Sequence, residues 1–479
     1  MRTHAPLTSM TFVLALVSAA VLMLGGCVNI PHIPTKTQAT EAASLGLGDQ
    51  AKTPELSDAW WLALGDTKLD ALVQRTLAAN PDLQVAAARL DRAGALAEAA
   101  GALGKPVTGV GVDATRQRYT EHGLVPKPIA GSVRTTANLQ AGVSWDFDFF
   151  GRNQAQLQAA LGTQRAAQAE AQAAAMVLST QVVRGYLTLA RLLEQGEHLN
   201  HLMTLRERSA ELIGQRVGAG LDTQIELRQA QTPLPELKRQ QQALQEQISL
   251  LRHQLAALSA QPMDALDGLA PTAPKLPAAL AGAAQAPLGI DLLGRRPDVA
   301  AARWRVEAAT QDVAAARAQF YPNLNLTAFV GFNAIGFDNL LKSGSLQGGF
   351  GPALRLPIFD TGRLRAQLHG NVAELDAAVA SYNARVLSAV HESADALSSV
   401  RSLAAQVQQQ QQALQSVASA RELARQRQAA GLGNALTLIN ADMALVNQQR
   451  ALSEVQAQWL DSHVLLIKAL GGGWQATAI

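Results

Sequence analysis

Between residues 133 and 149 apolar and polar side chains alternate along the chain. Ala137, Leu139, Ala141, Val143, Trp145 and Phe147 fall on one side of an extended strand, and Asn138, Gln140, Gly142, Ser144 and Asp146 on the other. The same period near 323–333 sets Leu324, Leu326, Ala328, Val330 and Phe332 against Asn323, Asn325 and Thr327, with Phe329 as the exception. Near 346–359 it returns in Phe350, Leu354, Leu356 and Ile358, and a fourth stretch near 107–122 alternates weakly. Elsewhere the pattern is helical. Residues 153–215 hold no proline and predict one helix of 63 residues, about 95 Å long at 1.5 Å per residue. Residues 363–430 predict its twin, and 82–104, 221–261, 298–320 and 432–470 predict shorter helices. Leu244, Ile248, Leu251, Leu255 and Leu258 follow a coiled-coil spacing, and Leu438, Leu445, Leu452, Trp459 and Leu466 recur every seventh residue. Pro233 and Pro235 lack amide donors and must kink or break the helix that contains them.

The pattern is written twice. Asn80-Pro81-Asp82-Leu83 precedes Arg296-Pro297-Asp298-Val299 by 216 residues, and each opens an Ala-rich helix. Farther on the offset is 211: Gly151-Arg152 matches Gly362-Arg363, and Ala219-Gly220-Leu221 matches Ala430-Gly431-Leu432. This is a tandem duplication with copies far longer than a solenoid repeat. The predicted organisation is a signal peptide at 1–26, an amino-terminal segment at 27–59, a first repeat at 60–261 and a second at 291–475. A Pro-rich linker at 262–290 joins the repeats, and 476–479 is a short tail.

The strands are the length that crosses a bilayer when tilted, and no other segment carries an apolar face to cover such a sheet. Four strands cannot close a barrel, and two open edges in lipid would leave backbone groups unmet at several kcal/mol each. Copies must therefore pool strands. Two copies give eight strands, whose interior side chains fill, whereas three give twelve with room for a wet lumen lined by the polar faces. The expected fold is thus mostly α with a transmembrane β part: a homotrimer with a 12-stranded barrel, four strands per chain, continued by a long helical coiled-coil barrel.

Composition narrows the partners. The 479 residues carry 40 Lys and Arg against 38 Asp and Glu, and only 16% are charged. Such a chain has no polybasic field for nucleic acid. After residue 27 no apolar run reaches the length of a transmembrane helix. The single cysteine excludes a disulfide framework. It is Cys27, placed after Arg2, an apolar run from Thr11 and Leu24-Gly25-Gly26. That tetrapeptide resembles the bacterial lipobox, which implies a thioether-linked diacylglycerol and an acylated amino terminus on Cys27. With Val28 in the next position, the resemblance to outer-membrane lipoproteins implies sorting to the outer membrane.

Residues 27–475 resemble the outer membrane factor family, the TolC-like and OprM-like export ducts, and within it the NodT-like lipoprotein branch. The stretches that carry the likeness are Leu292-Leu293-Gly294-Arg295-Arg296-Pro297-Asp298-Val299, Ala318-Gln319-Phe320-Tyr321-Pro322-Asn323-Leu324, Pro357-Ile358-Phe359-Asp360-Thr361-Gly362 and Lys468-Ala469-Leu470-Gly471-Gly472-Gly473-Trp474. The resemblance implies a homotrimer in the outer membrane of a Gram-negative cell, reaching into the periplasm to meet a periplasmic adaptor protein and an inner-membrane pump. That pump would be of the resistance-nodulation-division or the major facilitator type. It implies efflux of small molecules, drugs or toxic compounds, with a duct for type I protein secretion as the alternative. It also implies a periplasmic gate just after the second tip turn, with Leu436 kept and the family's acidic position replaced by Asn440. Glu226 is expected as the acidic counterpart in the first copy, with Asp442 nearby. The turns holding Gly218, Gly220, Asp222, Gly431, Gly433 and Asn434 are the expected adaptor-facing tips.

Other constellations lead nowhere. His391-Glu392 opens like a zincin motif, but position 395 is Asp. Asp146 and Asp148 read as rim residues, and Trp60 and Trp61 read as packing residues. Neither a catalytic activity nor a cofactor is expected.

Overall fold

The computed structural model describes residues 31–40, 57–274, 289, 292–357 and 359–475. The leader, Cys27, part of the linker, Ile358 and the tail lie outside the described residues. The elements run α1 (Thr67–Ala79), α2 (Pro81–Ala102), β1 (Val107–Arg118), β2 (Val133–Phe147), α3 (Arg152–Gly218), α4 (Gln224–Gln231) and α5 (Pro233–Leu258). The second half follows as α6 (Leu292–Arg295), α7 (Pro297–Ala318), β3 (Asn323–Ile335), β4 (Leu346–Arg355), α8 (Thr361–Ala429) and α9 (Ala435–Ala469). The four strands form one antiparallel sheet in the order β1-β2-β3-β4. Its central pair, β2 with β3, joins one copy to the other.

The strands end where local chemistry stops the ladder. β1 was expected to 122 and stops at Arg118; the Tyr119 N–H still donates to the Ser132 carbonyl in register, and the ladder breaks where Gly131, at φ +79°, donates its N–H to the carbonyl of the same Tyr119. β2 stops at Phe147 rather than 149. There the Asp148 carboxylate accepts the Gln154 N–H at 2.8 Å and its carbonyl accepts the Gly151 N–H, which opens α3. β4 stops at Arg355, two residues before Pro357, rather than at 359. β3 runs on to Ile335.

The chain divides into two compact units, and α2, α3, α7 and α8 contribute to both. The first holds the sheet with Asp91–Arg165 and Arg303–Ala380. Its core sets Ala309, Val313, Ala316 and Phe320 on α7 and beyond against Leu364, Leu368, Val372, Leu375 and Val379 on α8. The Lys36 and Thr37 amides donate to the Asp376 carboxylate and tie the amino-terminal segment to that helix.

The second unit holds the remaining helices. Trp60 and Trp61 are buried there with Leu69, Val73, Val182, Val183, Tyr186, Leu189 and Leu255. The spacing of the α5 leucines is borne out: Ile248 and Leu255 are buried in this core, and Leu244, Leu251 and Leu258 pack against it. In α9 most of the buried stripe runs one residue later than expected. Ile439, Met443, Val446, Ser453, Leu460 and Ile467 are buried, whereas of the expected series only Leu466 is buried and Leu438, Leu445, Leu452 and Trp459 are half-buried. The helix turns the first set toward its own chain.

Two further differences have clear causes. Helix α1 was not foreseen; Asp66 caps it by accepting the Lys68 and Leu69 amides, and the Tyr186 hydroxyl donates to the same carboxylate at 2.6 Å. The stretch 221–261 is two helices, not one, parted at Thr232, whose φ of −53° and ψ of −39° keep the chain helical. Pro233 and Pro235 sit in the first turn of α5, where an amide donor is not needed.

One polar cluster fastens the second unit. Arg296 is 3% exposed; its Nε and Nη2 donate to Asp298 at 3.0 and 2.8 Å, and its Nη1 donates to Glu392 at 3.0 Å. The same Nη1 reaches the Ala469 carbonyl at 3.4 Å, which also accepts the Ser393 hydroxyl. Gly471 follows at φ +97°, where a Cβ would stand 2.1 Å from the Arg295 carbonyl oxygen. Burial disfavours the Arg296 charge, and the bonds to Asp298 and Glu392 more than offset it. Arg296→Ala leaves both carboxylates without their buried cation and should cost about 3–5 kcal/mol, read as a drop in thermal midpoint of the detergent-solubilised protein. Arg363→Ala, at an exposed pair with Asp360, should cost under about 1 kcal/mol.

Candidate functional site

The strand registers sort every sheet side chain onto one of two faces. On one face lie Val110, Ala141 and Val330 in one row, Val112, Leu139, Phe332 and Leu346 in the next, and Val143, Ala328 and Phe350 in the row before. Trp145 with Leu326, and Phe147 with Leu324 and Leu354, extend it toward the helices. No described residue covers its centre: Val110 is 75% exposed, Val112 74% and Phe350 87%. A face this apolar and this bare is unlike the surface of a water-soluble monomer.

The opposite face is a hydrogen-bonded polar surface. The Asn138 amide donates to Asp113 at 3.1 Å, and Gln347 donates to the Asn138 carbonyl oxygen at 3.1 Å. Asn325 donates to the Ser144 hydroxyl at 3.0 Å and to Asp146. Phe329 is the one large aromatic on it among the described strand residues, and its ring lies over Gly349, where a Cβ would stand 2.9 Å from the ring. The sequence pattern had flagged Phe329 but not the glycine that admits it. Strands β1 and β4 are both edges, each with one unpaired side.

The two helix turns are built alike. In the first, the Leu221 N–H donates to the Arg216 carbonyl at 2.8 Å with Gly220 at φ +72°. In the second, the Leu432 N–H donates to the Arg427 carbonyl at 2.8 Å with Gly431 at φ +73°. Positive φ suits glycine, which carries no Cβ to clash. Leu221 and Leu432 are therefore held outward, 67% and 71% exposed. Gly218 closes α3, and Gly433 packs against Arg427. Asp222 receives both Nε and Nη2 of Arg216, at 2.7 and 2.9 Å, and that pairing lowers its pKa. Thr223 and Asn434 then cap α4 and α9.

These caps fix the correspondence between copies, and they correct one expectation. Thr223 aligns with Asn434, so Glu226 faces Thr437 in the comparison and Asn440 corresponds to Gln229. Glu226 accepts the Thr223 amide at 2.9 Å and the Thr223 hydroxyl, which lowers its pKa. It completes a capping box. Asp442 accepts the Arg421 guanidinium at 2.7 Å, joining α9 to α8. Leu436 is half-buried and Asn440 exposed, one turn apart on α9. The rim and zincin-like residues have structural work as well: Glu392 serves Arg296, His391 lies 3.4 Å from Asp395, and Asp146 lies 3.9 Å from Arg152.

The family model for outer membrane efflux proteins matches the chain at residues 72–261 and again at 288–472. A multidrug resistance outer membrane protein, MdtQ, of Escherichia coli O157:H7 is 32% identical over 95% of this chain and 96% of its own. The fusaric acid resistance protein FusA of Burkholderia cepacia is 35% identical over 76% of this chain and 70% of its own. Among solved structures, the outer membrane protein VceC of Vibrio cholerae superposes with a TM-score of 0.79 at 35% identity, covering 88% of this chain and all of that one.

The first tip should respond to acid in a defined direction. Asp222 and Glu226 both have lowered pKa values, so their contribution is complete above the ordinary carboxylate values of 3.8 and 4.5. It is lost as pH falls through the lower values of the folded state. Hydrogen exchange corrected for intrinsic rates should show protection at 219–227 holding to about pH 4 and falling below it. Asp222→Asn should show reduced protection already at pH 7.

Proposed function

The chain belongs to the outer membrane efflux protein family, and from that premise we infer how its own residues build the duct. It is an outer-membrane channel component of a tripartite efflux system, with the fold of that family's trimeric channels. The observation that carries the reading further is the sheet: one bare apolar face, one polar face and two unpaired edges. Three copies joined edge to edge close twelve strands, set the apolar faces toward lipid and enclose the polar ladder of Asp113, Asn138, Gln347, Ser144 and Asn325 around water. The duct is passive and performs no catalysis.

Several finer assignments belong to this proposal. Cys27 carries the lipid that tethers each chain to the outer membrane. The tips present Leu221 and Leu432 on matching turns to a periplasmic adaptor, which couples the duct to an inner-membrane pump of the resistance-nodulation-division or major facilitator type. Leu436 from three chains forms the apolar constriction at the periplasmic end, and Asn440 lies one turn beyond it. The Arg421–Asp442 pair holds α9 against α8 beside that ring. Cargo is a small molecule, the reading the names of the resistance-protein relatives support over protein secretion.

Four substitutions test these roles. Cys27→Ser should abolish acylation and lower abundance, while trimers reconstituted from detergent still conduct; a fully water-soluble unacylated protein would contradict the barrel. Leu436→Ala removes a dewetting barrier and should raise single-channel conductance. Asn440→Asp should increase cation preference in a way that fades as the Debye length shortens from about 10 Å at 0.1 M salt to about 3 Å at 1 M. Arg421→Ala should raise conductance too, by freeing α9 from α8. Unchanged currents in Leu436→Ala and Arg421→Ala would place the constriction elsewhere. For the function itself, deletion of the gene should raise intracellular accumulation of a fluorescent dye substrate, and the wild-type gene should restore its export.

A further inference from the structure

The apolar face of the sheet has a charged upper margin. Its rows run from Phe147, Leu324 and Leu354 at the helix end to Ala114, Ala137 and Ala334 near the loops. Those rows span five steps of two residues, about 33 Å along a strand at roughly 3.3 Å per residue. With a tilt of roughly 40° this is about 25 Å of height, the apolar band of an outer-membrane barrel. The next two positions of β1 on that face are Arg116, opposite Thr135, and Arg118, opposite Val133. Both are exposed. Among the described residues no carboxylate lies within ion-pair distance of Arg116, and Arg118 approaches only Glu121, at 3.7 Å with both side chains largely exposed.

The other margin of the face is different in kind. There Trp145, Phe147 and Phe149 stack in succession, with ring centroids 4.4 and 5.7 Å apart. Of the arginines at that end, Arg355 lies opposite Asn323 on the polar face, Arg152 approaches Asp146 and Arg363 meets Asp360. The sheet therefore meets one membrane boundary with aromatic rings and the other with guanidinium groups. Because the long helices enter at the aromatic end, the arginines lie at the outer leaflet.

We propose that Arg116 and Arg118 form an outward-facing site for the phosphate groups of the phosphorylated glycolipid of the outer leaflet. The proposal rests on the barrel reading given above. Two guanidinium groups two residues apart on one strand face stand about 7 Å apart at the backbone. Each can grip a phosphate through parallel N–H donors, a geometry lysine does not offer. Placement just past the last apolar row sets them at headgroup depth, where glycolipid phosphates lie and where the aliphatic parts of both side chains can rest on the apolar band. Closure by three chains would repeat the site three times around the barrel.

The test uses the full-length, lipid-modified trimer in detergent, offered bisphosphorylated lipid A, dephosphorylated lipid A or phosphatidylglycerol. Retained lipid is counted by native mass spectrometry. Wild-type protein should retain bisphosphorylated lipid A in preference to both others, and less at high salt. The double variant Arg116→Gln, Arg118→Gln should lose roughly tenfold in retention. Arg134→Gln, on the opposite face of the neighbouring strand, should behave as wild type. Single-channel steps from each preparation report that the barrel is intact. Conducting wild type and double variant with equal retention would overturn the site alone, as would equal retention of phosphorylated and dephosphorylated lipid, or of phosphatidylglycerol. Absence of conductance steps in both the wild-type protein and Leu436→Ala would overturn the barrel reading and the site with it.

Discussion

The unmet hydrogen bonds along β1 and β4 govern the rest of the molecule. A four-stranded sheet with one apolar face can hide that face in lipid only when its edges are paired, because lipid offers no replacement for water at a bare N–H or C=O. Pairing within one chain is impossible here, since a sheet of four strands in the order β1-β2-β3-β4 is too narrow to curl until β1 meets β4. Assembly is thus built into the strand count. The polar face follows from the same requirement, because a closed sheet that turns apolar residues outward must turn its alternate residues toward a lumen. Its side chains bond to one another, as Asn138 does with Asp113 and Gln347, and keep their remaining capacity for water.

Gene duplication explains how one chain supplies two hairpins and two tips. The copies meet at β2 and β3, and the second copy is fastened by a buried cation, Arg296, between Asp298 and Glu392. A buried ion pair is weak evidence for net stability, yet it resists loss of either partner, and it specifies one arrangement of the segments it joins. Here it brings Arg296 at the start of α7 to the end of α9, where the chain closes through Gly471. Two of the stretches that carried the family resemblance, joined by a contact across 173 residues of sequence, are therefore one structural site. They serve architecture, and the duct surfaces lie on other residues.

The sheet was legible in the sequence because period-two alternation survives wherever both faces are specified, one by lipid and one by water. The glycine turns were legible for a similar reason: Gly220 and Gly431 take a backbone conformation few other residues accept. What stayed hidden depends on partners in space. The buried stripe of α9 follows the 439-446-453-460-467 series, with the leucine-rich series beside it buried only at Leu466, a choice made by neighbouring helices in the same chain. Helix α1 was missed although Asp66 and the spacing of Leu69, Leu72, Val73 and Thr76 announce it. Glu226 was matched to Asn440, whereas the offset of 211 at the glycine turns and the caps at Thr223 and Asn434 pair it with Thr437.

Stoichiometry tests the central claim most directly. The account requires that the open edges of three sheets close on one another, so the mature protein extracted in mild detergent should have three times the mass of one chain by native mass spectrometry. The trimer should resist dissociation until the barrel itself unfolds. A stable, folded monomer that keeps β1 and β4 unpaired in a bilayer, or a closed dimer of eight strands, would contradict it.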